Sequence, residues 1–250
     1  IAYNALDGVG IVLSAASTRI IGNSIHSNGE LGIDLVANGV TLNDGFGPYD
    51  GDTGPNSVQN FPAFTAAPVT DGGTTLTVSG RLDSTAGASF TIHFYASSVA
   101  DASGYGEGER YIGRHTVVKN GMGTALFSAI PIPASDAPGE IITMTATNDL
   151  QGDTSEFSAG LAAVGLQSIA GRISHDVNGD SNLGGDSGQS GVTVHLFRDG
   201  GDGLADGADD TYVGFDVTDA AGDYGFGSLA DDTYWVVVDS RTFGATGYNA

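Results

Sequence analysis

The sequence predicts an all-β chain: the last coils of a parallel β-helix, then two β-sandwich modules. Three observations lead there. Glycine supplies 40 of the 250 residues, leucine and the helix-forming charged residues are sparse, and Lys119 is the only lysine. That composition suits many short strands joined by tight turns. A short repeat opens the chain, and apolar–polar alternation punctuated by Gly, Asn, Asp and Pro fills the rest.

The repeat defines the first element, residues 1–45. "DGVGIVL" (7–13) aligns on "ELGIDL" (30–35) at a spacing of 22, pairing Gly10 with Gly32, Ile11 with Ile33 and Leu13 with Leu35. "IAYN" (1–4) likewise matches "IHSN" (25–28). Short rungs with Asn at the corners describe a solenoid, in which Asn23 and Asn28 are expected to stack on equivalent residues of neighbouring coils. Leucine-rich repeats share the period, but their spaced leucines are missing, so a right-handed parallel β-helix is preferred. Asp34 replaces Val12 in this alignment and is expected to face solvent. Two coils are too few for a stable solenoid alone.

Residues 46–62 form an acidic loop or linker rich in Gly, Pro, Asn and Asp. Asp44, just before it, and Asp50 and Asp52 within it are expected to be solvated rather than to hold a cation. From 63 to 165 the period becomes two. "TTLTVSGRL" (74–82), "SFTIHFYAS" (89–97), "RYIGRHTVV" (110–118), "GTALFSAI" (123–130) and "IITMTATN" (141–148) predict an antiparallel sandwich that ends at "GDTSEFS" (152–158). His93 and His115 fall on these strands and are expected to face solvent, with pairing across the sheet the alternative. From 166 to 250, "IAGRIS", "GVTVHLFRD", "DTYVGFDVT", "GDYGFGSL" and "DTYWVVVDS" predict a second, smaller sandwich. Thr233, Trp235 and Val237 share one side of its last strand, and core or edge packing is expected for Trp235 rather than contact with a carbohydrate.

The formal net charge of −22 excludes a nucleic-acid partner, because eight basic residues cannot neutralise a phosphate backbone. The same charge suits a salty, calcium-containing medium, where carboxylates stay hydrated or hold divalent ions. No apolar run reaches the roughly 20 residues that span a bilayer. The chain opens on Ile1 and lacks a signal segment, and it reads as a piece of a longer exported protein.

Two acidic loops are candidate calcium sites. In "HDVNGDSNLGGD" (175–186), Asp176, Asn178 and Asp180 take positions 1, 3 and 5 of an EF-hand-like loop. Asn182 offers its backbone carbonyl at position 7, and Asp186 falls at position 11, one place early. Ser181 stands where such loops usually turn on Gly, and the bidentate Glu is missing. The second loop carries Asp199, Asp202, Asp206, Asp209 and Asp210, whose mutual repulsion a cation or wide solvation must relieve. Asp219 is expected to close an Asx-type turn.

Catalysis has weak support. Asp7, Glu30 and Asp34, with Arg19 and His26 nearby, are the only acid–base candidates in the first element, and two coils do not hold a whole glycosidase-type site. The Gly-rich "GYGEGER" (104–110) has no lysine and no following helix, so it is no phosphate loop.

Several stretches resemble known families. "NSIHSNGELGIDL" and "NDGFGPYDGDTGPNSVQNFP" resemble the end of the β-helix-repeat surface proteins of bacteria, over about the first 62 residues. "GDTSEFS" is similar to the closing strand of the immunoglobulin-like modules that follow such β-helices. "GRISHDVNGDSN", "SGVTVHLFRDGGDG", "TDAAGDYGFGSL" and "DTYWVVVD" resemble the calcium-binding B-type repeat of serine-aspartate-repeat adhesins, over nearly all of 168–240. That resemblance implies a prealbumin-like fold, Ca2+ in the first loop and, in some members, in the second. Such domains can carry a Lys–Asn isopeptide bond, which the absence of lysine from 166–250 excludes here.

The resulting expectation is a non-enzymatic, exported bacterial surface protein: a calcium-rigidified, monomeric stalk module of a longer chain, located at the cell surface. Its expected partner is a glycan or a component of a host or neighbouring cell. The alternatives are the non-catalytic tail of a carbohydrate-active β-helix enzyme, or a carbohydrate-binding module.

Overall fold

The structure is a computed structural model that describes residues 1–44, 51–70, 74–133, 138–177, 179–180, 184–205 and 208–242. It is all-β, built of several small sheets, and divides into two units, Ile1–Gly165 and Leu166–Ala250.

The first unit begins with two short strands, β1 (Val9–Gly10) and β2 (Ile33–Asp34), paired in parallel. A parallel bridge joins Ala2 to His26, and the Asn4 side-chain amide donates to Asn28 Oδ1 at 2.8 Å, 24 residues along the chain. The rung offset is therefore 24, not 22. The 22-residue alignment overlays "GI" on "GI" but leaves the chain out of register with the Asn ladder. At 24, Val9 stacks on Ile33, and Gly8 lies over Gly32, where a Cβ would collide with the Gly32 carbonyl. Among the described residues these rungs close no solenoid coil.

After a single turn at Pro55–Val58 come the strands of the sandwich: β3 (Ala63–Phe64), β4 (Val69–Thr70), β5 (Thr75–Asp83), β6 (Ser89–Ser97), β7 (Arg110–Val118), β8 (Thr124–Pro133) and β9 (Ile141–Asn148). Two short strands, β10 (Leu161–Ala162) and β11 (Val164–Gly165), close it. One sheet runs β10-β9-β6-β7. The other is built on β5, with β8 antiparallel along one edge, β3 and β4 along the other, and β11 parallel to β4. Strand β5 alternates perfectly, burying Leu76, Val78 and Leu82 against Phe90, Ile92, Phe94, Phe127, Ile132, Ile142 and Met144. Each such side chain contributes roughly 1.5–3 kcal/mol.

Alternation fails on β6, which is buried on both faces from Ile92 onward. The N-terminal segment covers its outer face. Ile11, Ile20, Ile25, Ile33 and Leu35 form a second core with Tyr95 of β6 and with Phe157. Ile25 and Gly108 exchange backbone hydrogen bonds of 2.8 and 2.7 Å, and the Gly22 amide donates to the Tyr95 hydroxyl. This cover corrects the expectation for His93, which is only 1% exposed. His115 pairs with Ile92 in register and its ring lies by Phe127, so the two histidines lie on opposite faces of their sheet and do not pair.

The "GDTSEFS" segment is not a strand. Apart from a backbone bridge between Thr147 and Thr154, its side chains bind mostly backbone amides of other segments. Asp153 accepts from the Ser17 amide and the Ser57 hydroxyl, Thr154 from the Ile20 amide, and Glu156 from the Leu35 and Thr41 amides. These residues fasten the N-terminal segment to the sandwich.

In the second unit, β12 (Gln167–Arg172) pairs with β17 (Asp223–Leu229), and β13 (Ser174–His175) with β14 (Ser187–Gly188). A three-stranded antiparallel sheet has the order β16 (Thr211–Val217), β15 (Thr193–Arg198), β18 (Tyr234–Val238). The buried apolar side chains of this unit, among the described residues, are Val192, Val194, Leu196 and Leu229, a thin core.

Candidate metal centre

The first acidic loop is closed at its base by the β13–β14 ladder. His175 pairs with Ser187, so Asp176 and Asp186 stand opposite each other at the loop mouth. The side chains at 176 and 186 point into local geometry that the sequence dictates. Asp176 Oδ1 accepts the Gly179 amide at 2.7 Å, and Gly179 takes the left-handed φ of +72° that this turn needs. Asp186 Oδ1 accepts the Val177 amide at 3.2 Å, while its Oδ2 is buried with no hydrogen-bond partner among the described residues. Asp186 is 9% exposed. Asp180 is exposed, and Asn178 and Asn182, with Ser181, lie outside the described residues.

The second loop joins β15 to β16. Arg198 pairs with Thr211, so Asp199 and Asp210 begin and end the loop across from each other. Asp199 Oδ1 accepts the Gly203 amide at 3.3 Å and Asp202 Oδ1 the Leu204 amide at 2.8 Å. The Asp209 carboxylate lies against the Cα of Gly200, where a side chain would collide with it, which explains glycine at that position. Asp206 lies outside the described residues. Asp219 closes its turn as an acceptor from the Ala221 and Asp223 amides, and these bonds hold its carboxyl below the usual range.

Among the described residues, no three His, Asp or Glu side chains group closely enough to hold a metal ion by themselves. A cation at the first loop would take the Asp176 and Asp186 carboxylates and complete its shell from backbone carbonyls and water. Calcium accepts such a mixed set of six to eight oxygens.

The acid–base candidates of the N-terminal segment do not converge. Asp7 Oδ1 accepts the Leu31 amide, and Arg19 donates to the Asp149 carbonyl. Asp34 is buried, not solvent-facing: the 24-residue offset sets it opposite Gly10, and its carboxylate folds inward to accept the Val36, Ala37 and Gly39 amides. Burial raises the Glu156 carboxyl above its ordinary range, against the pull of the Leu35 and Thr41 amides. Glu107 Oε1 accepts both the amide and the side-chain NH2 of Asn28. The sequence reading missed these buried carboxylates. Only Glu156 carried a local signal, acids interleaved with Ser and Thr in "DTSEFS" with no basic residue nearby to pair them. Near the acidic linker, Asp44 Oδ1 accepts from the Asn60 side chain, Asp52 is exposed, and Asp50 lies outside the described residues.

No protein-family model matches the sequence, and no curated protein matches it. Among solved structures the chain is similar, at 13% identity and a TM-score of 0.26, to the "tetra-tandem repeat in extending region of large adhesion protein". The match covers 71% of this chain and 46% of that one, so the chain spans under half the length of that structure.

Proposed function

We propose that this chain is a non-enzymatic structural module of an exported bacterial surface protein, in which calcium stiffens the second unit. The N-terminal rungs are the end of a parallel β-helix, the rest of the first unit is an immunoglobulin-like sandwich, and the second unit is a prealbumin-like module of the B-type repeat. Together they act as a stalk of adhesin type. The observation that carries the reading is the Asp186 carboxylate. A buried, unpartnered carboxylate oxygen is costly, and it sits at the mouth of a loop with a second aspartate opposite. A cation there relieves that cost and ties the loop ends together. The thin core of the second unit makes such a tie valuable, because small domains often need metals to supplement their cores. Two carboxylates and an incomplete EF-hand pattern suit weak binding, with Kd of about 10⁻⁴–10⁻³ M, which extracellular calcium fills.

Calorimetric titration of the full chain with CaCl2 tests this. Asp176→Ala and Asp186→Asn should each abolish the heat of the first site. At tenfold excess over Kd, calcium should add about 1.4 kcal/mol of stability. Equal melting temperatures in calcium and in chelator, or heats indifferent to both substitutions, would overturn the proposal.

A further inference from the structure

The β16–β15–β18 sheet turns Val194 and Leu196 into the core, and its other face exposes Tyr212, Phe215, Val217 and Val237 among the described residues. His195 and Phe197 of β15 lie on that face, with Phe215 and Tyr212 beside them on β16 and Val237 and Trp235 on β18. Trp235 is thus on the outer side of the edge strand β18, half-buried, with its indole nitrogen covered, which agrees with edge packing. Tyr212 is 51% exposed and Phe215 62%. The rings form a run: Phe197 to Tyr212 at 5.3 Å, Tyr212 to His195 at 5.9 Å and His195 to Phe215 at 6.3 Å between centroids. A contiguous aromatic face of this kind on a soluble protein marks a contact surface.

Charge identifies what it fits. The chain carries 30 acidic residues, yet the strip between Asp199 and Asp239 on this face has neither a carboxylate nor a cation. A polyanion or an anionic lipid surface meets no cation there. A second copy brings its own charge of −22 against an equal one. A neutral chain with apolar ring faces escapes both penalties. At the rim, Asp239 donates its amide to the Thr193 carbonyl, and Arg241 grips its carboxylate with two hydrogen bonds of 2.9 Å. That pair presents planar donors and acceptors beside the rings, the combination that orients hydroxylated ligands. The rings are inclined to one another by 51–62°, which suits a single twisting chain better than a flat crystalline surface.

We propose that this face binds a neutral polysaccharide, stacking sugar rings on Tyr212 and Phe215 and offering the Arg241–Asp239 pair to hydroxyl groups. The inference goes beyond the stalk reading and does not require either loop to bind calcium. Native electrophoresis of the full chain through gels containing hydroxyethylcellulose, galactomannan or dextran, with alginate as the anionic control, tests it. At least one neutral polymer should retard the protein, equally in calcium and in chelator. Tyr212→Ala and Phe215→Ala should each weaken the retardation by roughly fivefold or more, and Phe215→Trp should preserve it. Both positions are half-exposed, so melting temperatures should stay put. Absence of retardation by all three neutral polymers, retardation by alginate alone, or full retardation of Phe215→Ala overturns the proposal. So does a dimer in sedimentation that Phe215→Ala dissociates, since a second copy would then be the occupant.

Discussion

Asn56 holds the peptide unit of Thr18 from both sides: its Oδ1 accepts the Thr18 amide at 2.9 Å and its Nδ2 donates to the Thr18 carbonyl at 2.8 Å. The same Nδ2 reaches the Thr154 carbonyl at 3.0 Å. One fully buried side chain therefore joins the linker, the N-terminal segment and the 152–158 segment. The backbone is bent to allow it. Asn56, Ser57 and Val58 all have positive φ, of 46°, 54° and 44°. Such a conformation costs roughly 1–2 kcal/mol per residue, least for Asn. Asn56→Ala should destabilise the protein by about 2–4 kcal/mol, because it strands buried backbone groups and puts Ala in a left-handed turn. Asn56→Asp should be no better, since a carboxylate would face two carbonyl oxygens. Urea unfolding measures both, and a loss under about 0.5 kcal/mol for Asn56→Ala would show that the linker is held elsewhere.

Glu156 makes a comparable junction, one oxygen on the Leu35 amide and the other on Thr41. Glu156→Gln keeps the shape but turns one acceptor into a donor that faces an N–H. It should raise hydrogen exchange at Leu35 and Thr41 by about tenfold or more, as expected for a loss near 1.4 kcal/mol. The amides of Leu76 and Ile92, in the sandwich core, should be unaffected. Uniform acceleration across both groups would mean that Glu156 supports the whole unit rather than the docked segment.

Strands β5 to β9 were legible because alternation is a local signal, and each begins and ends within a few residues of the periodic stretch that predicts it. The N-terminal register was not, because its short Gly-Ile pattern matches itself at two offsets, and only the Asn4–Asn28 ladder selects 24. Asp34 was misread because its carboxylate turns back onto the nearby Val36, Ala37 and Gly39 amides, whereas His93 and the 152–158 segment were misread for one shared reason. Those two are buried by residues far away in the chain: Glu156 meets Leu35 across 121 positions. A solvated strand or turn looks the same in sequence as one that another segment covers. At the first acidic loop, Asp176 and Asp186 stand at the two ends because an eleven-residue loop on a two-residue ladder brings its ends together, and that ladder gave no periodic signal in the sequence.

Gly108 tests the docking from its apolar side. It exchanges backbone bonds with Ile25, and a Cβ there would lie 2.7 Å from the Tyr95 ring and 2.9 Å from Phe157. Both rings belong to the second core and meet edge to face, with centroids 5.2 Å apart, so neither has room to withdraw. Gly108→Ala should cost about 1–3 kcal/mol by overpacking, whereas Gly121→Ala, with open space around it, should be nearly neutral. Thermal unfolding of the two variants side by side distinguishes a packed seam from a loose one. Equal melting temperatures would contradict the seam.

His93 makes the attachment of the N-terminal segment sensitive to acid. Both ring nitrogens are buried without a hydrogen-bond partner among the described residues. Burial is the main cause that lowers its pKa to about 4, Arg114 across the strand pair adds to it, Asp149 opposes, and Arg19 of the covering segment lowers it further. Tyr111, whose ring centre is 6.0 Å away, brings no charge to offset a protonated ring. The folded pKa is below the unfolded value of 6.5, so the neutral ring favours the folded state. The stability from this group is complete above pH 6.5 and is lost as pH falls toward 4, up to about 3 kcal/mol. Glu156, with its raised pKa, works the other way: its ionised form is the destabilising one, and acid relieves it. That contribution is common to wild type and to a His93 variant, so it cancels in the difference. His93→Leu should match or exceed wild-type stability at pH 7, since it removes two unpaired buried nitrogens. Its advantage should grow steadily between pH 6.5 and 4. Denaturant titrations at pH 7, 5.5 and 4.5 measure this, and a difference between the two proteins that stays constant across the three would rule out His93 as the acid-sensitive group.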